Sequence, residues 1–294
     1  MAYMLTGCST ADLSQQQFDE RNIGVAFFHF EVDGKEYLDD MGKSLPSEEL
    51  FHMMDAGANT HTSQISVGEY TEFWEQYLKE GMDILHVTLS SGISGTYQSA
   101  MIAKGMLESE YPDRKIYVVD SLAASSGYGL LLDALADKRD EGMDLESLYA
   151  WAEANKSKVQ HWFFSTDLTY YIRGGRISKT SGLIGQALGI CPLLNVDFEG
   201  KLIPREKIRT KKKTIKRTVE VMESRVQDGL DYSGKCYISH SLCYEDAKDL
   251  ATRIEEKFPK LDGKVEIYPI GATIGSHTGP GTIALFFWGD ERID

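Results

Sequence analysis

Hydroxyl side chains alternate with glycines in one ten-residue stretch of the chain, SSGISGTYQS at residues 90–99. The residues after it have the composition of a helix, so the stretch is predicted to stand at a helix N-terminus. Exposed backbone amides, the positive end of the helix dipole and a hydroxyl such as that of Ser94 together predict a site for an anion or a carboxylate. Serine and glycine are also common in turns and helix caps, so a purely structural role is the alternative.

A second hydroxyl cluster, HTSQIS at residues 61–66, also precedes a predicted helix. Ser66 and Glu69 have the spacing of a capping box, which accounts for Ser66 without any ligand. Thr62 and Gln64 have no such explanation. They are therefore candidate ligand contacts in a loop at the start of that helix.

A histidine, His277, lies in the glycine-rich stretch GSHTGPG at residues 275–281, which is predicted to be a tight turn that can approach a ligand closely. The alternative is an ordinary surface histidine. With Ser94 and an acid such as Asp120, it would complete a serine-hydrolase triad. The sequence argues against that enzyme, because the G-x-S-x-G pattern ends in Thr96 and no HGGG-type oxyanion motif is present. Ser94 is therefore predicted to be a hydrogen-bond donor, and no catalytic residue is assigned.

Two strand-loop-helix units position the first hydroxyl cluster. Residues 83–89 and 115–119 are predicted to be strands, and each is followed by a loop of small residues and a helical segment. Repetition of this order predicts an α/β fold with a mostly parallel, doubly wound sheet that binds ligands beyond the carboxyl ends of its strands. Nearer the N-terminus, residues 24–32 are predicted to be one buried strand followed by an Asp33-Gly34 hairpin turn.

The character of the sequence changes after residue 165. Five glycines between residues 174 and 189 interrupt the chain, and residues 191–198 and 201–208 are then predicted to be strands joined by a turn. Helical and strand segments follow in mixed order. We therefore predict two domains: an N-terminal α/β domain at residues 1–165, which carries the two hydroxyl clusters, and a C-terminal α+β domain at residues 166–294.

The composition restricts the class of protein. The 294 residues include 31 Lys plus Arg against 45 Asp plus Glu, and the net charge of -14 argues against a nucleic-acid partner. The four cysteines lack CxxC spacing, so no metal site or disulfide framework is predicted, and reduced thiols in the cytoplasm fit best. LTGC at residues 5–8 resembles a lipoprotein cleavage site, but no basic segment precedes it. No stable membrane anchor is expected, and the fingerprints of nucleotide-binding loops are absent.

The motifs taken together resemble those of the DegV family. The family's first motif is echoed by GCSTADL at residues 7–13, and TSQIS at residues 62–66 is a closer match. The other matches are the loop at residues 90–100, DS at 120–121, YIRGGRIS at 171–178, the hairpin at 192–209 and HTGPG at 277–281. The resemblance therefore covers nearly the whole chain.

This resemblance implies a carrier, not an enzyme, that buries one long-chain fatty acid such as palmitate between two domains, with no further cofactor. The ligand-binding residues that it implies are Thr62, Ser63, Ser94, Gly95, His277 and Arg209. Among them, Thr62 and Ser94 are expected to hold the carboxylate. His277 is expected near the same carboxylate, and Arg209 is expected to screen it.

The resemblance also implies a partner, because such carriers present the acyl chain to a separate fatty-acid kinase that makes acyl phosphate for phospholipid synthesis. A basic run from Arg205 to Arg217 contains a single acid, Glu206. The run is either an ordinary solvated face or a surface that docks an acidic partner. The chain departs from the family pattern at Cys8, where aspartate is usual, and at Cys191, where lysine commonly precedes the proline.

Overall fold

The computed structural model describes residues 2–178 and 189–292. Within them the strands are β1 (Tyr3–Cys8), β2 (Ile23–Ala26), β3 (His29–Val32), β4 (Lys35–Leu38), β5 (Thr60–Ser63), β6 (Asp83–Thr88), β7 (Ile116–Asp120), β8 (Val159–Ser165), β9 (Ile190–Val196), β10 (Leu202–Arg209), β11 (Cys236–His240), β12 (Glu266–Pro269) and β13 (Thr282–Trp288). The helices are α1 (Gln15–Glu20), α2 (Ser47–Asp55), α3 (Val67–Lys79), α4 (Thr96–Glu110), α5 (Ser125–Asp140), α6 (Leu145–Asn155), α7 (Thr169–Arg173), α8 (Lys211–Arg225), α9 (Tyr244–Lys257) and α10 (Ala272–Thr278). Two of the five interrupting glycines, Gly182 and Gly185, lie outside the described residues.

A parallel sheet joins β2, β1, β6 and β7 in that order. Every residue of β6 is buried, as expected of a strand that is covered on both faces. The covering helices pack in pairs, α3 against α4 and α5 against α6. This sheet confirms the predicted doubly wound α/β architecture. The loops after β6 and β7 open at the carboxyl edge of the sheet, where such folds bind ligands.

A mixed sheet joins β10, β9, β8, β13, β11 and β12 in that order, with β11 and β12 parallel and the other pairs antiparallel. Because β8 (Val159–Ser165) belongs to this sheet, the two sheets divide before residue 159. The boundary predicted near residue 165 thus separates β8 from its own sheet. The sequence pattern is misleading here because β8 follows a helix and is buried along its whole length, as one more parallel strand would be.

The prediction that residues 24–32 form one strand is wrong, because these residues contribute to two sheets. β2 lies in the parallel sheet, whereas β3 pairs with β4 and β5 in a separate small sheet. The residues that join β2 to β3, Phe27 and Phe28, are apolar, so the hydropathy pattern shows no break. The Asp33-Gly34 hairpin is confirmed, with φ of 48° and 84° at its two residues, as a tight turn of this type requires.

The stretch around Thr62 is a strand rather than the predicted loop. It forms β5, in which Thr62 lies opposite Phe30 of β3. Helix α3 then begins with the predicted capping box, in which Ser66 and Glu69 bond each other's backbone amides. Hydroxyl residues suit both strands and helix caps, so the composition alone does not distinguish a loop from an edge strand at this point.

Candidate functional site

A cavity lies between the carboxyl edge of the parallel sheet and one face of the mixed sheet. Strand periodicity decides which side chains face it. Phe163 of β8 and Ala284 and Phe286 of β13 line the cavity, whereas the intervening Phe164 and Leu285 pack into the core on the other face. Its walls are mainly aliphatic and aromatic, as in sites for small molecules. We call this space the central cavity.

Three polar side chains from different elements line the central cavity together: Thr62 of β5, Ser94 of the loop after β6, and His277 of α10. The Oγ1 atom of Thr62 lies 2.7 Å from Nε2 of His277. The two hydroxyl clusters also touch, because a Cβ atom on Gly95 would lie only 2.4 Å from Oε1 of Gln64. Glycine at position 95 therefore allows the two segments to approach. We call Thr62, Ser94 and His277 the polar end of the cavity.

Backbone contacts hold Ser94 in place. Its amide donates to the carbonyl of Ser90 at 3.2 Å, and its Oγ accepts a hydrogen bond from the amide of Thr96 at 3.2 Å. Ser90 in turn donates its hydroxyl to the carbonyl of Gly200 in the β9–β10 hairpin at 2.9 Å. The loop is thus tied to the mixed sheet, and these contacts use Ser94 Oγ as an acceptor while its proton remains available for a ligand.

His277 lies on helix α10, not in the predicted glycine-rich turn. Two buried acids hold the start of this helix: Asp12 accepts from the amide of Gly271 at 3.0 Å, and Asp39 accepts from the amides of Ala272 and Thr273, each at 3.2 Å. These carboxyl oxygens satisfy backbone amides at the start of the helix that have no partner within it. The glycines of the motif favoured a turn over a helix in the sequence analysis. Gly279, with φ of 69°, ends the helix.

His277 is a neutral imidazole at physiological pH. Burial, together with the nearby Arg176 and His61, lowers the pKa of His277 to about 4. Its Nδ1 atom is buried without a hydrogen-bond partner among the described residues and packs on Gly174, where a Cβ atom would approach it to 2.3 Å. A charged ring would have to bury a proton there, which is costly.

The sequence did not single out Arg176, yet it lines the central cavity. Its Nε and Nη2 donate to the carbonyl of Ile93 at 3.2 and 3.1 Å, and its Nη1 donates to the carbonyl of Gly174 at 2.6 Å. Burial lowers the pKa of Arg176, but a guanidinium remains charged at neutral pH. Its presence in the YIRGGRIS motif was the available signal. Arg176 supplies a positive charge on the wall beside Ser94.

Two of the six implied ligand-binding residues lie away from the central cavity. Ser63 follows Thr62 in β5, so its side chain points to the opposite face of the strand, where it is exposed. Arg209 is exposed at the end of β10 and is not part of the cavity wall. The structure therefore brings together Thr62, Ser94, Gly95 and His277, and it does not bring Ser63 or Arg209 to them.

The geometry does not form a serine-hydrolase triad within the described residues. His277 bonds to Thr62 rather than to Ser94, and no carboxylate orients its Nδ1. Asp120 instead accepts from the backbone amides of Ser91 and Leu122, at 3.0 and 3.2 Å. A triad needs the acid on one ring nitrogen and the serine on the other. The arrangement is that of a binding site with hydroxyl donors.

Residues 2–178 and 189–292 contain no group of three or more His, Cys, Asp or Glu side chains arranged to hold a metal ion. Over the same residues, every helix is too short or too polar to cross a membrane.

The lowered pKa of His277 predicts a pH dependence of stability in the lipid-free protein. The unfolded chain binds a proton at His277 below its ordinary pKa of 6.5, and the folded chain does so below about 4, so the stability contributed by this residue falls as pH drops between these values. Between pH 7 and pH 5, we expect His277→Gln to lose about 2 kcal/mol less unfolding free energy than the parent. Urea unfolding of both proteins measures the difference. Equal losses would show that the ring takes up its proton equally in both states.

A family model for the DegV family, described as uncharacterised proteins, matches residues 8–290 of the chain. A DegV domain-containing protein of Clostridium perfringens is 37% identical over 284 residues, which are 97% of this chain and 96% of that protein. A fatty-acid-binding DegV family protein of Thermus thermophilus has a solved structure that superposes with a TM-score of 0.88 at 26% identity, over 99% of this chain and 100% of that one.

The same fold recurs at lower identity. The fatty acid kinase B3 protein of Streptococcus pneumoniae, solved with linoleic acid, superposes with a TM-score of 0.84 at 22% identity, over 99% of this chain and 100% of that one. The family match and the relative from Clostridium perfringens each cover nearly the whole chain. The protein therefore belongs to the DegV family.

Proposed function

We propose that this protein is a carrier that holds one long-chain fatty acid, with the carboxylate at the polar end and the acyl chain in the central cavity. The observation that carries the proposal is the character of this site: a mainly apolar space between two sheets, whose polar end presents the hydroxyls of Thr62 and Ser94 and the neutral His277. The Thermus thermophilus relative of the same fold binds a fatty acid. Transfer of an aliphatic chain from water to such apolar walls lowers the free energy.

Counting hydrogen bonds indicates which ligand group fits the polar end. If His277 donates its Nε2 proton to Thr62, the hydroxyl of Thr62 keeps its own proton for the ligand. Ser94 is in the same position, because its Oγ already accepts from the amide of Thr96. Two hydroxyl donors on the wall of the same cavity suit a group that only accepts, and an ionised carboxylate is such a group.

We further propose that a separate kinase phosphorylates the bound carboxylate to form acyl phosphate, as the family resemblance implies. The donors of Arg176 that are described above point to backbone carbonyls, so they form no bidentate clamp on the ligand. A carboxylate held by hydroxyls keeps electron density for attack on a phosphoryl group better than one in an arginine clamp. The carrier itself supplies binding, and the partner supplies the chemistry.

The identity of the bound molecule tests the carrier proposal directly. The protein is purified without added lipid, denatured, extracted and examined by mass spectrometry, and the expected result is one fatty acid at close to one molecule per chain. Recovery of no fatty acid, combined with turnover of a model ester, would instead support the hydrolase.

A basic surface on α8 is the proposed contact for the kinase. Lys212 and Lys213 are exposed in the first turn of α8, where positive charge opposes the helix dipole. The neighbouring Lys211 bonds to Asp246 at 2.6 Å, so it is less suited to a partner. We expect the double reversal Lys212→Glu/Lys213→Glu to slow acyl-phosphate formation by the kinase, most strongly at low salt, because such charges steer association.

The matched control for this reversal is Lys35→Glu/Lys248→Glu, which makes the same change in net charge at exposed positions on β4 and α9. The rate is measured with fatty-acid-loaded carrier over a range of salt concentrations. Both double variants should retain the bound fatty acid. Equal rates for the two variants at every salt concentration would show that α8 does not dock the kinase.

A further inference from the structure

A chain of buried side chains runs from the end of β1 to the helix that follows Ser94. Tyr70 of α3 places its hydroxyl 2.8 Å from Oγ1 of Thr96, the first residue of α4. The same hydroxyl lies 3.4 Å from Sγ of Cys8, and that sulfur lies 3.6 Å from Nε2 of His86. Nδ1 of His86 lies 2.9 Å from Oγ1 of Thr6, which can donate to the carbonyl of Leu85 at 3.4 Å.

The direction of donation along this chain follows from counting protons and acceptors. Thr6, Cys8, Tyr70, His86 and Thr96 are all fully buried, so bulk water does not replace a missing partner. The acceptor that the described residues offer to the Thr96 hydroxyl is Tyr70. Thr96 therefore donates to the hydroxyl oxygen of Tyr70. The hydroxyl proton of Tyr70 is then free to be donated to the sulfur of Cys8.

The thiol of Cys8 is in turn a hydrogen-bond donor. Nε2 of His86, at 3.6 Å, is nearer to the sulfur than the carbonyl of Val87, at 4.0 Å, and the tautomer that we infer is the one in which the thiol donates to the imidazole. Burial lowers the pKa of His86 to about 3, and a neutral ring has one nitrogen free to accept. Nδ1 keeps its proton and donates to Thr6. Tyr70, Cys8, His86 and Thr6 thus each have one donor and one acceptor in use, and Thr96 begins the chain as a donor.

Thr96 connects this chain to the ligand site, because its amide is the donor that holds Oγ of Ser94. We propose that Cys8 and Tyr70 are positioning residues that fix Thr96, and through it orient the Ser94 hydroxyl toward the ligand carboxylate. This inference rests on the proposed fatty-acid site. It also gives a role to Cys8, because a thiol both donates and accepts hydrogen bonds.

A double-mutant cycle on fatty-acid binding tests the proposal. Tyr70→Phe and Cys8→Ala each break the chain and are expected to raise the dissociation constant by about tenfold. In a Ser94→Ala background, the same changes should have almost no further effect, because the hydroxyl that they orient is gone. Cys8→Ser, which keeps one donor and one acceptor, should restore most of the affinity. Tyr77→Phe, on the same helix but outside the chain, is the control.

Nitrogen NMR of His86 gives an independent readout. The expected signature is a neutral ring with its proton on Nδ1, and Cys8→Ala should change the chemical shift of Nε2. If Tyr70→Phe does not fold, Thr96→Val removes the other end of the same bond and is expected to show the same coupling to Ser94→Ala.

The proposal is overturned if losses in the two backgrounds are additive, or if Tyr70→Phe or Thr96→Val binds fatty acid as the parent does. It is also overturned if the proton of His86 is on Nε2. An unchanged dissociation constant for Ser94→Ala itself would refute the carboxylate contact of the proposed function, and the positioning role with it.

Discussion

Ser94→Ala and Thr62→Ala are each expected to weaken fatty-acid retention by about 1 to 3 kcal/mol, because each removes one hydroxyl donor from a buried charged group. This corresponds to a dissociation constant larger by roughly 5- to 150-fold. Both side chains line the central cavity, and the contacts of Ser94 leave its proton directed to a ligand. Titration of lipid-free protein with a fluorescent fatty acid measures the loss.

Ser63→Ala is the matched control for these two variants. Ser63 is a hydroxyl residue beside Thr62 in the same strand, but its side chain is exposed on the other face of β5. We expect Ser63→Ala to bind like the parent. A loss of equal size for Ser63→Ala and Thr62→Ala would place the carboxylate elsewhere.

Ala284→Trp is expected to abolish binding of long acyl chains. Ala284 lies on β13 in the interior of the mixed sheet, with Phe163 opposite on β8, and its small side chain lines the central cavity. An indole at this position fills space that the acyl chain would occupy. Mass spectrometry of the purified variant should find almost no bound fatty acid.

The control for Ala284→Trp is Ala154→Trp on α6, an exposed position where a large side chain meets no core. Thermal unfolding and circular dichroism establish that both variants are folded. If folded Ala284→Trp retains one long-chain fatty acid per chain, the acyl chain does not lie along β13, and the proposed path through the central cavity is wrong.

Local patterns predicted most of the secondary structure. The capping box of Ser66 and Glu69, the Asp33-Gly34 hairpin and the strand-loop-helix units around residues 83–89 and 115–119 all depend on residues close in sequence, and all are confirmed. The errors have the opposite origin. β8 looks like one more parallel strand, and only its pairing with β9 and β13 assigns it to the mixed sheet.

Some residues of the candidate site could also be predicted from the sequence. Hydroxyl clusters marked Thr62 and Ser94, and the glycine-rich motif marked His277. Their types suited a carboxylate before any fold was known, because hydroxyls, amides and a helix N-terminus are what such a group requires. The resemblance to the DegV family then indicated a fatty acid, and the family match over residues 8–290 confirms that resemblance.

The tertiary structure decided which of these residues meet. Thr62 and His277 are 215 positions apart, and their bond depends on the packing of β5 against α10. The alternation of β5 places the Ser63 side chain on the face away from the cavity, Arg209 lies outside the cavity wall, and Arg176 lies on that wall. The sequence by itself determined the local elements and the chemistry of the motifs, since both are set by neighbouring residues. The cavity between two sheets needed the fold, because its walls come from strands whose pairing no local pattern specifies.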